Sequence, residues 1–256
     1  MRATLFMPIK PPMRTAQTVN ITSYHFCPLY DTYFLRDGYR EVCANIGVKG
    51  MLIFSPEGVN VLLAGSQQQI DTFIAHFSQD SRFAELTYKV SYSDTNPFNH
   101  MFVKRKNHLV PSDIDVAVDE IPAPHLSATE LKTWLDEKKD FILLDTRNEY
   151  EIEFGTFEQA EHLHIRKFRQ LSEKLEQQEN WKDKPVVMFC TGGIRCERGA
   201  PLAKKLGFKE VYQLDGGILR YFEHCGGAHY KGDCFVFDGR EAVTPELKPA
   251  QLPTGE

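Results

Sequence analysis

Val186-Val187-Met188-Phe189-Cys190-Thr191-Gly192-Gly193-Ile194-Arg195-Cys196 decides how this chain is read. An apolar strand ends at a cysteine, a glycine-containing loop follows, and a helix starts beyond it. Parallel α/β sheets place their active sites at such strand ends. The glycines let successive backbone N–H groups turn inward around the sulfur, and the dipole of the next helix points its positive end the same way. Both effects favour a thiolate, or a persulfide, over the neutral thiol, which makes Cys190 the candidate catalytic residue. Thr191, Gly192, Gly193, Ile194 and Arg195 are the candidate substrate-binding loop. A buried structural cysteine is common at strand ends, but it would have no need of Gly-Gly and an arginine beside it.

The surrounding half of the chain supplies the matching elements. Ser127-Ala128-Thr129-Glu130 is a capping box ahead of Leu131, Trp134 and Leu135, and the apolar run Phe141 to Leu144 follows. A helix from Phe168 to Gln178 precedes the strand Pro185 to Cys190; a helix runs from Arg195 to Leu206, a strand over Glu210 to Leu214, and a helix over Ile218 to His224. This alternation predicts an α/β domain over 127–226 with a parallel sheet covered on both faces. A tail, 227–256, contains a strand-like segment from Cys234 to Phe237, and its last dozen residues are expected to be mobile.

Working towards the N-terminus, Pro111 to Pro124 holds three prolines and four acidic residues, a composition that suits a linker, set at 111–126. Before it, residues 16–110 read as strand (Thr18 to Phe26), helix (Tyr30 to Ile46, ended by Gly47), strands Gly50 to Phe54 and Val59 to Ala64 around a Pro56/Gly58 turn, helix (Ser66 to Phe77) and strand (Leu86 to Tyr92). The order βαββαβ predicts a ferredoxin-like α+β domain, with a further strand-like stretch from Met101 to Val110.

Composition excludes several classes. With 256 residues, 42% hydrophobic and 25% charged, the chain can build two modest cores. The opening MRATLFMPIKPPM is cut by three prolines and has no apolar run fit for a leader or a membrane span, which places the protein in the cytoplasm with no membrane partner. Six cysteines without a regular framework suggest individual reactive thiols rather than structural staples. A net charge of −5 means that any nucleic-acid contact must use a local basic patch. Lys104-Arg105-Lys106-Asn107-His108 and the stretch His162 to Arg169 are candidates, and a solvated basic face explains each nearly as well. No metal is expected: His224, Cys225, His229 and Cys234 fall within eleven residues but match no usual zinc spacing. The sequence fixes no oligomeric state.

Three separated motifs resemble the rhodanese superfamily: the Cys190 loop closing on Arg195, Asp145-Thr146-Arg147-Asn148-Glu149-Tyr150-Glu151, and Leu214-Asp215-Gly216-Gly217-Ile218. Asp145 and Arg147 are readable either as turn-capping partners of each other or as substrate contacts bordering the loop. Cys196 is a candidate second thiol, although spacing does not say whether it meets Cys190. Four residues separate Cys190 from Arg195, one fewer than tyrosine-type phosphatases use to encircle phosphate, and this favours sulfur chemistry.

The whole order, ferredoxin-like domain then rhodanese domain with Phe189-Cys190-Thr191-Gly192-Gly193-Ile194-Arg195-Cys196-Glu197, resembles the tRNA uridine-34 hydroxylase family. Ser55-Pro56-Glu57-Gly58-Val59-Asn60 is similar to that family's Glu-Gly-Ile-Asn turn, with Val59 replacing isoleucine and Asn60 a candidate RNA contact. His229 to Asp238 resembles the segment following its rhodanese domain. The resemblance implies an oxidoreductase that hydroxylates carbon 5 of the wobble uridine of tRNA, with Cys190 essential and molecular oxygen as co-substrate. Many members carry a cysteine-rich C-terminal extension that does not follow Glu256 here, so no role of it is carried over. No facial triad, haem motif or dinucleotide fingerprint is visible, and no resident cofactor is expected. Cys190 would act as a persulfide or as a direct nucleophile. The rival readings are a thiosulfate-type sulfurtransferase working through a Cys190 persulfide, and a non-catalytic rhodanese-like module that docks RNA or protein.

Overall fold

The computed structural model describes residues 17–111 and 122–251. Residues 1–16, where no leader was expected, and most of the expected linker lie outside the described residues. The first domain consists of β1 (Thr18–Phe26), α1 (Thr32–Ile46), β2 (Lys49–Ser55), β3 (Gly58–Gly65), α2 (Gln67–Phe77), β4 (Lys89–Ser93) and β5 (Met101–Arg105). Its sheet runs β4-β1-β3-β2-β5. The first four strands pair antiparallel in the ferredoxin-like order, and β5 adds itself parallel to the β2 edge.

Local chemistry sets these boundaries. α1 stops at Gly47, whose φ of 83° is a left-handed conformation open to glycine. It starts after Asp31 rather than at Tyr30, and Tyr30 is left 96% exposed. α2 opens with a reciprocal capping box between Ser66 and Gln69, an arrangement that stabilises a helix start by about 1 kcal/mol. Val19, Ile21, Val59, Val61 and Leu63 alternate inward from β1 and β3, where Tyr39, Phe73, Phe77 and Phe83 complete the core under the two helices. The opposite face of the sheet turns towards the second domain.

That domain comprises β6 (His125–Leu126), α3 (Ala128–Asp136), β7 (Ile142–Asp145), α4 (Glu149–Ile152), β8 (Gly155–Phe157), β9 (Ala160–His162), α5 (Leu171–Glu176), β10 (Pro185–Phe189), α6 (Cys196–Lys205), β11 (Glu210–Leu214) and α7 (Gly217–Cys225). The sheet β6-β11-β10-β7-β9 is parallel throughout, with β10 at its centre. Val186 and Met188 pack on one face with Leu171, Leu175, Ala200 and Ala203. Val187 and Phe189 pack on the other with Leu131, Leu135, Ile218 and Phe222. Both faces of β10 are therefore dry, as its unbroken apolar run requires.

Several boundaries differ from the sequence reading. His125 and Leu126, assigned to the linker, pair with β11 as β6. The helix expected from Phe168 divides into a short 3₁₀ turn, Phe168–Gln170, followed by α5. Up to residue 251 the tail is structured, and residues 252–256 of the stretch expected to be mobile lie outside the described residues: β12 (Tyr230–Gly232) pairs with β8, and β13 (Cys234–Phe235) pairs with β14 (Ala242–Val243). Arg240 Nη1 reaches Ser91 Oγ of the first domain at 2.7 Å, Gly239 N–H bonds the Pro97 carbonyl, and Ala250 N–H bonds Ala242. Val236 and Val243 are buried, which gives the segment a reason to stay.

Candidate active site

Cys190 lies just past the end of β10, and the loop folds back so that the Gly193 N–H donates to its sulfur at 3.1 Å. Gly193 takes φ 99°, a conformation most side chains avoid, and a Cβ there would stand 2.6 Å from the Tyr24 hydroxyl. The start of α7 closes the cradle: Ile218 N–H bonds the Cys190 carbonyl and Leu219 N–H bonds that of Thr191. Gly217, at φ 65°, allows this approach, since a Cβ there would run into the Cys190 carbonyl.

Burial by itself raises the pKa of the Cys190 thiol, but it is outweighed by a hydrogen bond from Cys196, the nearby Arg195 charge, and the backbone N–H groups of Arg195 and Gly193. The net effect lowers it to about 5, so the sulfur is a thiolate at neutral pH. Cys196, the first residue of α6, moves in the opposite direction: burial and the adjacent Cys190 charge hold its proton on. Its sulfur also lies 3.7 Å from Thr146 Oγ1. The two thiols thus meet, with Cys196 as the proton-bearing partner.

Arg195 is buried in a two-pronged ion pair with Glu151 on α4, at 2.6 and 2.7 Å, and its guanidinium sits 5.8 Å from the Phe237 ring centre. Burial opposes its charge and Glu151 more than restores it. Behind this pair, Asp145 receives Arg147 through the backbone N–H, Nε and Nη2, and also takes the Thr156 hydroxyl. Arg147 reaches the Gly155 carbonyl at 2.7 Å. Asp145 and Arg147 are 1% and 0% exposed and do not line the cavity at the loop. In this arrangement they hold the β7–α4 turn that presents Glu151.

Above the loop opens a cavity of about 480 Å³, walled by both domains and the tail. Cys190, Thr191, Gly192, Ile194 and Arg195 line it, as do Asn60 from β3 and Lys167 and Arg169 from the basic stretch. Much of the remaining lining is apolar, including Ile53, Leu62, Val110, Val236 and Leu247. Lys104, Arg105 and Lys106 lie outside it; Arg105 instead covers the Tyr33 ring at 4.7 Å. His229 pairs with Asp136 and Cys234 is buried, and among the described residues no three His, Cys, Asp or Glu side chains converge as a metal site.

Sequence reasoning missed the residues that join the domains. Tyr24 on β1 donates to Glu197 of α6 at 3.0 Å. Lys89 on β4 lines the cavity, and burial followed by the nearby Arg220 charge lowers its pKa to about 8. Glu151 was within reach of sequence reading, as a carboxylate in the Asp145-to-Glu151 motif. Tyr24 and Lys89 carry no local signal.

Residues 18–109 match the UPF0176 acylphosphatase like domain, and residues 127–224 match the Rhodanese-like domain. A curated tRNA uridine(34) hydroxylase of Cupriavidus taiwanensis is 44% identical over 241 residues, covering 91% of this chain and 86% of its own length. The chain belongs to the tRNA uridine(34) hydroxylase family. Another member, from Thiobacillus denitrificans, is 43% identical over 238 residues, with coverages of 90% and 96%. In this tRNA uridine(34) hydroxylase family chain, the Glu57-Gly58-Val59-Asn60 turn reaches across the domain boundary. Glu57 pairs with Arg198 of α6 and accepts the Leu109 N–H at 2.5 Å, while Asn60 faces the cavity. Among the described residues no helix is long and apolar enough to cross a membrane.

Proposed function

We propose that this protein hydroxylates carbon 5 of uridine 34 in tRNA, with Cys190 as the nucleophile and molecular oxygen as co-substrate. The observation that carries the reading is a buried thiolate at the floor of a cavity of about 480 Å³, inside the range of small-ligand sites. The name of its relatives, tRNA uridine(34) hydroxylase, supplies the substrate.

Attack of the Cys190 thiolate on carbon 6 forms a C–S bond and moves the C5–C6 electron pair onto carbon 5 and oxygen 4 of the uracil. Carbon 5 is then electron-rich and accepts oxygen. Loss of its proton and cleavage of the C–S bond restore the ring double bond and the thiolate. Over the cycle one oxygen atom stays on carbon 5 and the other leaves as water, drawing two electrons and two protons from an external reductant. Cys196, which donates a hydrogen bond to Cys190, holds a proton beside the reacting sulfur.

The sulfurtransferase reading fits the cavity less well. Thiosulfate is small and doubly charged, whereas this lining is largely apolar and extends over the sheet of the other domain. Mass spectrometry of tRNA from a deletion strain, with any parallel route to the same modification removed, tests the proposal. Loss of the 5-hydroxyuridine-derived modification, restored by the wild-type gene and not by Cys190→Ser, supports it. Unchanged wobble uridines refute it.

A further inference from the structure

Strand register aligns two rows of side chains across the open face of the first-domain sheet. One row runs Tyr24, Asn60, Ile53, Lys104 over β1, β3, β2 and β5. The other runs Lys89, Thr22, Leu62, Met51, Phe102 over all five strands. Paired residues on adjacent strands share a face, so each row is one continuous line. The inner ends meet the loop region: the Tyr24 hydroxyl bonds Glu197 of α6 and stands where a Cβ on Gly193 would go, and Lys89 lines the Cys190 cavity. Thr22, Asn60, Leu62, Met51 and Ile53 line the cavity opposite the loop. The outer ends emerge into solvent, where Phe102 is 50% exposed and Lys104 Nζ stands 4.9 Å from its ring centre. His100 meets Phe102 edge-on at 6.1 Å.

From Tyr24 to Lys104 the line crosses three strand spacings, about 14 Å. Sheets of this kind carry two or three unstacked bases when an exposed aromatic ring and a cation lie on the open face. A wobble uridine belongs to a single-stranded anticodon loop, and a base entering the Cys190 cavity leaves its neighbours to follow the rows outward. The chain's net charge is −5, yet both ends of the rows carry lysine, and Lys167 and Arg169 flank the cavity. Resting on the function proposed above, we infer that Phe102 and Lys104 on the β5 edge bind the nucleotide next to the target uridine, Phe102 by stacking on its base and Lys104 by pairing with its phosphate. Arg105 and Lys106 are not part of this contact: Arg105 alternates to the helix-covered face and is held against Tyr33.

The test uses an anticodon stem–loop RNA carrying 2-aminopurine beside the target uridine. Binding to wild type quenches the probe. Phe102→Ala weakens binding by roughly ten-fold or more and abolishes the quench, while Phe102→Trp restores both. Lys104→Gln lowers the slope of log affinity against log salt by about 0.7, the value for one single-strand phosphate contact. Iodoacetamide alkylation of Cys190 at the wild-type rate shows that each variant is folded around its loop. Unchanged affinity, quench and salt slope in the variants overturn the inference, and would assign the β5 edge to another occupant such as a protein strand. The underlying function is scored separately by 5-hydroxyuridine formation in wild type, so failure of one is distinguishable from failure of the other.

Discussion

The Tyr24 hydroxyl, on β1 of the first sheet, donates a 3.0 Å hydrogen bond to Glu197 in the first turn of α6, directly after the reactive loop. The same hydroxyl stands where a side chain on Gly193 would go. The first domain therefore forms part of the wall that keeps the loop in shape. Tyr24→Phe removes the bond and keeps the ring, and Glu197 retains Gln213 at 3.1 Å. The expected cost is about 1–2 kcal/mol, read as a lower midpoint in urea unfolding. Gly193→Ala meets both the hydroxyl and a left-handed backbone, and is expected to lose the reactive thiolate.

Glu57 and Arg198 form the second tie. Arg198 is buried, its Nε has no hydrogen-bond partner, and burial already lowers its pKa. Glu57→Gln leaves that charge uncompensated. Expected is a loss of about 3 kcal/mol, together with faster proteolysis at the domain junction. Removing both partners as Glu57→Gln with Arg198→Met is expected to recover much of the loss.

The fold was legible where periodicity or capping is strong: Ser66 and Ser127 start helices through complete capping boxes, and the apolar run before Cys190 is the central strand. Strands of two or three residues, such as β8, β9 and β12, are too short to show alternation, and only tertiary pairing defines them. The loop was legible because its chemistry is local. Tyr24 and Glu197 are 173 residues apart, and nothing in either neighbourhood announces the other. The Glu57-to-Asn60 turn was recognisable as a motif, but its reason, one side chain on α6 and another in the cavity, appears only after the domains are docked.

Cys196 is one of the groups that favour the charged form of Cys190. Cys196→Ala removes a donor to the thiolate, and the Cys190 titration midpoint is expected to rise from about 5 towards the ordinary thiol value, while Cys196→Ser holds it nearer the wild type. The linkage has a sign. Cys190 titrates lower when folded than the ordinary 9.0, so its contribution to stability is complete above pH 9 and fades as pH falls towards 5. Urea unfolding of wild type against Cys190→Ala, followed from pH 9 down to pH 5, measures this directly.

Glu151 has no solvent exposure and carries the Arg195 guanidinium on both oxygens. Glu151→Gln strands a buried cation and is expected to cost about 3–5 kcal/mol in chemical unfolding. Glu151→Gln paired with Arg195→Met is expected to fold more stably than the single variant. That double variant is also expected to react more slowly at Cys190, because the Arg195 charge is one of the groups holding the sulfur ionised.

The central claim is a deprotonated sulfur held in a cradle of backbone N–H groups. The rate of Cys190 alkylation by iodoacetamide, followed by mass spectrometry from pH 4 to pH 10, measures it most directly. The account predicts a single rise with a midpoint near pH 5 and a plateau through neutrality. A midpoint at or above 9, or no reaction of Cys190 in the native protein, would contradict it.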